Sequence, residues 1–311
     1  RTVESRPVPE NVREGDPGYY LLAGGRPAFE AEIGFRPPLR DWPMRLNRAL
    51  GIGGYGSAIA LVTGIILAVP LLALTNISAV WWSLLGVLGV VPAVDLAVAL
   101  VNRAVTSIVG ATPLPALELR HGVPEPLRTL VAVPTLLTTP ESITEQIERL
   151  EIHHLASLGG ELYFALLSDW TDAATEQTDG DEALVAAATA GIARLNERYP
   201  PIGSANRFLL LHRRRVWTPS EGRWIGWERK RGKLHELNRL LRGAADTSFM
   251  AVGGMPPHPP ADVRYVVTLD ADTRLPRDTV RRLIGKMAHP LNRPRFNPAV
   301  GRVVEGYAVL Q

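Results

Sequence analysis

The chain of 311 residues is 46% hydrophobic and 21% charged, has no cysteine and carries a formal net charge of +3. The apolar fraction excludes a disordered chain, and the missing cysteine excludes a disulfide scaffold or a thiolate metal site. Mean hydropathy is slightly positive despite many arginines, so apolar residues are concentrated somewhere and the small net charge is a sum over unlike segments.

The first 48 residues are rich in Gly, Pro and Arg. The chain starts with Arg and shows no signal peptide, which reads as a piece of a longer protein. Gly18-Tyr19-Tyr20-Leu21-Leu22 is apolar but has no assignable fold. Residues 49–94 then contain no Asp, Glu, Lys or Arg. A membrane span needs about 20 apolar residues. The run therefore predicts a transmembrane hairpin over 49–103, with spans near 51–74 and 79–101 joined by the turn Thr75-Asn76-Ile77-Ser78. A buried helical pair of a soluble protein is the alternative, but such helices are shorter and keep a polar face. Trp81 and Trp82 sit where interfacial aromatics belong. Arg36, Arg40, Arg45 and Arg48 on one flank and Arg103 on the other put both flanks in the cytoplasm. Asp95 falls inside the second span, either as a functional intramembrane carboxylate or as a helix-packing or interface residue.

Beyond Arg103 the pattern alternates. Apolar strands are predicted over 127–133, 162–167, 208–211, 263–269 and 303–310. Helices are predicted from 140 until the glycines at 159–160, and over 181–199, 233–242 and 276–288. Thr139-Pro140 supplies an N-cap followed by a proline in the first turn. Ile143, Ile147, Leu150 and His154 follow at helical spacing until Gly159-Gly160. Strands alternating with helices imply an α/β fold with a mainly parallel sheet, in which ligands bind beyond the carboxyl ends of the strands. Asp169, Asp270 and Asp272 all stand at such ends.

Asp270-Ala271-Asp272 is the sharpest chemical feature. Two carboxylates one residue apart after an apolar strand can hold magnesium or manganese, leaving other positions for substrate phosphates. They can also be solvated turn residues ahead of a helix. An aspartate-nucleophile phosphatase is a rival reading, but its Asp-x-Asp carries one more residue before the threonine than Asp272-Thr273 allows. The second feature is basic. Residues 207–242 hold 11 Lys or Arg against 3 Asp or Glu, about +8 net, which leaves the rest at about −5. Such a block attracts a diphosphate, anionic lipid or nucleic acid, or is simply a solvated face beside the bilayer. No nucleic acid is expected, because the nearby aromatics form no recognisable binding motif. His-Glu-x-x-His, Gly-x-Ser-x-Gly and P-loop motifs are absent from the sequence.

Taken in order, two spans, Pro134-Thr135 after a strand, Ser168-Asp169 after the next, Lys233-x-x-x-Leu237-Asn238 and Leu269-Asp270-Ala271-Asp272 resemble the membrane-embedded GT-A glycosyltransferases of the cellulose-synthase-like class. Three longer stretches, beginning at Arg213, Gly226 and Val267, resemble the bacterial cyclic β-1,2-glucan synthases more closely. The resemblance covers nearly the whole chain. It implies a two-helix transmembrane hairpin ahead of a truncated GT-A domain over 104–311. It implies UDP-glucose as donor, a growing β-1,2-glucan as acceptor, inverting transfer and a bacterial inner-membrane, multi-pass location with the catalytic domain in the cytoplasm. By position, Thr135 and Asp169 would contact the uridine. Lys233 and Asn238 would lie near the nucleotide and the metal-binding strand, and Asp270 and Asp272 would bind Mg2+ or Mn2+ bridging the diphosphate. Two departures stand out. Many relatives have Pro-Thr-Tyr-Asn where this chain has Pro134-Thr135-Leu136-Leu137. Nothing after Asp272 supplies an acidic base or a Gln/Arg-x-x-Arg-Trp motif, so the base is expected beyond Gln311. A non-enzymatic membrane anchor whose basic face binds lipid is the remaining alternative.

Overall fold

The computed structural model describes residues 13–75, 77–109, 113–157, 159–203 and 205–311, and these divide after Leu114 into two compact units. Asn76 of the expected turn and the side chains of Arg40 and Arg48 lie outside the described residues.

The first unit begins with two short helices in the stretch that sequence left unassigned, α1 (Pro17–Leu22) and α2 (Arg26–Glu32). Asp16 caps α1 by accepting the Gly18 N–H at 2.8 Å, with Pro17 preset for the first turn. Two long helices follow, α3 (Trp42–Ala73) and α4 (Ala79–Val109). Arg45 and Arg26 both donate to Glu30 at 2.7 Å and hold its carboxyl down at about 2. Gly51 breaks α3 at a φ of +54°, a conformation that glycine adopts without steric cost. With that break near its start, a stretch of 25 residues of α3 (Ala49–Ala73), like 30 of α4 (Ala79–Ile108), is long and apolar enough to cross a membrane. At about 1.5 Å per residue both exceed the roughly 30 Å of hydrocarbon to be crossed. Within this chain the pair forms no buried core: its large apolar side chains face outward, from Ile52 and Leu61 to Val87 and Leu88. The helices meet through small residues: Gly89 lets Leu67 approach, and Tyr55 donates to Asn102 at 2.7 Å. Asp95 is exposed on α4.

The second unit is an α/β layer structure. Strands β1 (Thr129–Leu137), β2 (Leu162–Trp170), β3 (Phe208–Arg213) and β6 (Tyr265–Thr268) form one sheet of order β3-β2-β1-β6, with every pair parallel. Alternate residues serve opposite faces. Val131, Val133, Phe164 and Leu166 pack under α5 (Pro140–Leu155), α6 (Asp181–Arg198) and α8 (Thr279–Ala288) through Ile143, Leu150, Ile192 and Ile284. Leu130, Ala132, Ala165 and Leu167 pack on the other face with Phe249 and with Leu237 of α7 (Arg229–Leu240). Cover on both faces explains why the central strands read as unbroken apolar runs. Thr139 caps α5 as expected, accepting the Ser142 N–H at 3.2 Å.

The expected fold class, α/β with a parallel sheet behind an apolar two-helix hairpin, is the one observed. Three details differ. The hairpin β4 (Val216–Thr218) and β5 (Arg223–Ile225) is hidden in the basic block, its strands being only three residues each. Helix α7 starts at Arg229, four residues before the predicted 233. The predicted strand 303–310 is short: β8 (Arg302–Glu305) pairs antiparallel with β7 (Arg295–Asn297), outside the main sheet. Gly306 ends it at a φ of +70°, where any Cβ would lie 2.0 Å from the Arg293 carbonyl oxygen.

Candidate active site

The chain runs β1, β2, β3 outward to one side of the sheet and then returns to lay β6 on the other side of β1. The order reverses between β1 and β6, and the crevice beyond such a reversal is where parallel α/β sheets bind ligands. A cavity of about 410 Å³ opens there, lined by Pro134, Thr135, Asp169, Trp170, Gly226, Lys230, Lys233 and Ala271 among others. The ends of β1 and β2, the start of α7 and the turn after β6 thus share one cavity.

Beneath it lies a sealed ionic network. Arg213, at the end of β3, is completely buried. Its Nε and Nη2 donate to the two oxygens of Asp169 at 2.8 and 2.9 Å. Nη1 donates to Glu236 at 3.0 Å and to the Trp227 carbonyl at 3.1 Å, and Nη2 also reaches the Arg229 carbonyl at 3.1 Å. All five guanidinium N–H groups therefore have an acceptor. Lys233 is equally committed: its ammonium donates to the Thr135 carbonyl at 2.6 Å and the Leu167 carbonyl at 3.1 Å, and sits 3.0 Å from Asp169. It stitches the ends of β1 and β2 together from below. Burial pushes the Lys233 pKa down, against the pull of Asp169. Burial pushes Glu236 up, but hydrogen bonds from Ser248 and the charge of Arg213 outweigh it and hold the carboxyl low. A second buried arginine, Arg215, clasps Asp181 at 2.5 and 3.1 Å and the Thr171 carbonyl at 2.7 Å, closing the loop after β2. Its guanidinium carbon lies 5.1 Å from the centroid of the Trp170 ring.

The loop entering α7 is shaped by this network. Glu228 and Arg229 both adopt left-handed backbone, at φ of +49° and +47°. Such conformations cost non-glycine residues energy and persist only where neighbours impose them. Here Arg213 holds the carbonyls of Trp227 and Arg229. Two glycines make room: a Cβ on Gly226 would lie 2.6 Å from Asp169 Oδ2, and one on Gly232 would lie 2.0 Å from the Trp227 carbonyl oxygen. At the surface of the loop, Arg229 pairs with Asp172 and Glu221, each at 2.9 Å. Lys230 pairs with Asp270.

Asp270-Ala271-Asp272-Thr273 forms a tight turn closed by the Thr273 N–H on the Asp270 carbonyl at 2.9 Å. Arg149 of α5 donates to the Ala271 carbonyl at 2.5 Å and fixes the turn against the helix. Asp270 and Asp272 are exposed on either side of Ala271. Hard oxygen donors that water and phosphate can also reach suit Mg2+ or Mn2+. No cluster of three or more His, Asp or Glu side chains converges on a metal site among the described residues, so these two carboxylates would leave the other coordination positions to phosphate and water.

Of the residues singled out from sequence, Thr135, Asp169 and Lys233 line the cavity, and Asp270 and Asp272 flank its wall at Ala271. Asn238 does not join them: it is exposed on α7 and lines no part of the cavity. The basic block is not one solvent-facing patch, since Arg213 and Arg215 lie inside the protein as partners of Asp169, Glu236 and Asp181. Sequence reasoning missed those roles and that of Arg149. Only the acidic residues at strand and helix ends hinted that the arginines have internal partners.

No protein-family model matches the chain. It is 41% identical over 302 residues to the cyclic β-(1,2)-glucan synthase NdvB of Rhizobium meliloti (strain 1021), a match that takes in 96% of this chain. The chain spans a tenth of that protein's length. The chain is thus similar, over nearly every residue, to one segment of a bacterial cyclic β-(1,2)-glucan synthase.

Proposed function

We propose that this chain carries the donor-binding half of an inverting glucosyltransferase that moves glucose from UDP-glucose onto a growing β-1,2-glucan. The single observation that carries the reading is the cavity at the strand-order reversal, which joins Thr135, Asp169 and Lys233 to the Asp270–Asp272 turn. The match to a glucan synthase supplies the sugar chemistry. Thr135 and the Asp169 shelf would receive the uridine, and Asp270 and Asp272 would hold Mg2+ or Mn2+. A divalent cation bound there supplies positive charge to the departing diphosphate. The protein's own part is to keep the carboxylates, the cavity floor and the basic rim in register before the donor arrives. An inverting transfer also needs a base for the acceptor hydroxyl. Asp169 is bidentate to Arg213 and Asp172 is paired with Arg229, so neither cavity carboxylate suits that role. We assign the base to a part of the full-length protein outside these residues.

The two apolar helices favour a bacterial inner-membrane location, with the sheet unit on the cytoplasmic side by the arginine-rich flanks. The test is incorporation of labelled glucose from UDP-glucose by membranes containing the full-length protein. Asp272→Ala and Asp270→Ala are each expected to lower the rate by about 100-fold or more, the scale of losing a main electrostatic stabiliser of the transition state. Full activity in Asp272→Ala would overturn the cation assignment.

A further inference from the structure

Among the described residues, three cationic side chains line the cavity: Arg229, Lys230 and Lys233. Two of them have more than one partner. Lys233 is buried, with three acceptors around its ammonium. Arg229 is held between Asp172 and Glu221. Lys230 differs, because its partner among the described residues is Asp270, one of the two carboxylates assigned to the cation.

We propose that Lys230 is an exchangeable counter-ion. It neutralises Asp270 while that carboxylate holds no cation, and turns to the donor's diphosphate once Asp270 ligates one. This rests on the reading of Asp270 and Asp272 as cation ligands.

The physical case has three parts. First, the pair is a surface pair, with Lys230 54% and Asp270 61% exposed. Exposed ion pairs contribute little, so separating them costs little, unlike the buried pairs beneath. Second, the lysine has a short reach to make. Lys230 and Ala271 line the same cavity, so an ammonium leaving Asp270 stays beside whatever anion occupies it. A lysine ammonium is a mobile point charge suited to phosphate, and Lys230 has one ion pair to part where Arg229 has two. Third, the backbone presents Lys230 rigidly. It follows the left-handed pair Glu228 and Arg229, whose carbonyl neighbours are pinned by Arg213. Only the side chain has to move.

The exchange predicts effects of opposite sign from one substitution. With the full-length protein in membranes or detergent, Mn2+ binding is measured alone, and UDP binding is measured with and without saturating Mn2+. Lys230→Met keeps the apolar stem and removes the charge. It is expected to bind Mn2+ alone several-fold more tightly, because Asp270 no longer has a competing partner. It is expected to bind UDP in saturating Mn2+ about tenfold more weakly, the usual scale for one charge-assisted contact. Lys230→Arg should recover most of the UDP affinity. A merely structural lysine would weaken both ligands together or neither, and either result overturns the exchange. If wild-type UDP binding shows no dependence on Mn2+, the cation reading falls and the exchange falls with it. If wild type shows that dependence while Lys230→Met matches wild type in both titrations, only the exchange is lost.

Discussion

Arg213, Arg215 and Lys233 are 0%, 2% and 2% exposed, whereas the side chains of Arg229, Lys230 and Arg231 are 58%, 54% and 81% exposed. The two groups interleave along one basic stretch but meet opposite solvents. Inside, every nitrogen of each cation meets a carboxylate or a carbonyl, so the group acts as mortar between β1, β2, β3 and α7. Outside, the pairs are thin and screened by water, so the group can trade partners. A high local density of arginine and lysine therefore does not by itself describe an anion-binding surface. What decides is how many acceptors the fold has already delivered to each nitrogen.

The comparison can be broken most forcefully at Arg213. Replacing it with Met leaves Asp169 and Glu236 as buried carboxylates stripped of their main counter-charge, which costs about 3–5 kcal/mol. The same change at exposed Arg214, next in sequence, should stay within about 0.5 kcal/mol. Melting temperature or protease resistance of the full-length protein measures both, and equal effects would erase the distinction.

Acid tests the interior next. Burial holds His212 neutral, with its pKa down from 6.5 to about 4. The unfolded chain takes up a proton below about 6.5, while the folded one waits until about 4. Stability should thus fall as pH drops through that window and level off beneath it, by an amount on the order of 3 kcal/mol. Half-buried His154 adds in the same direction. Glu236, whose folded pKa is depressed, contributes stability that is present above about 4.5 and is lost as pH falls further. A melting profile flat between pH 7 and 4 would show that the imidazoles are not sealed.

A smaller effect is expected at Gly226. Alanine there would press its Cβ onto Asp169, a crowding worth about 1–3 kcal/mol and expected to weaken UDP binding as well. The smallest effect belongs to the outer group. Arg229→Ala should cost under about 1 kcal/mol of stability, because both its ion pairs face water.

How far the sequence revealed this division depends on the range of the interactions. The central strands were legible because cover on both faces demands continuous apolar runs, and Thr139-Pro140 marked a helix start through purely local chemistry. The Asp270–Asp272 turn was legible because two carboxylates directly follow such a run. The arginine network was not. Arg213 meets Asp169 44 positions away and Glu236 23 away, and Arg215 meets Asp181 34 away. No local pattern encodes those encounters, and a buried arginine spells the same as an exposed one. The three-residue strands β4 and β5 were invisible for a different reason, being too short for an alternation to declare itself.

The strand order also sets a timetable. During synthesis β1, β2 and β3 emerge in the order in which they lie side by side, so each can dock on its predecessor as it appears. The opposite flank of β1 must wait for β6, made only after the hairpin and α7. The crevice at the strand-order reversal is thus completed late, when the segment ending in Asp270 closes against a platform already built. A nascent chain stalled before that point would hold the arginine mortar but neither Asp270 nor Asp272, so on the proposed function it could not capture donor prematurely.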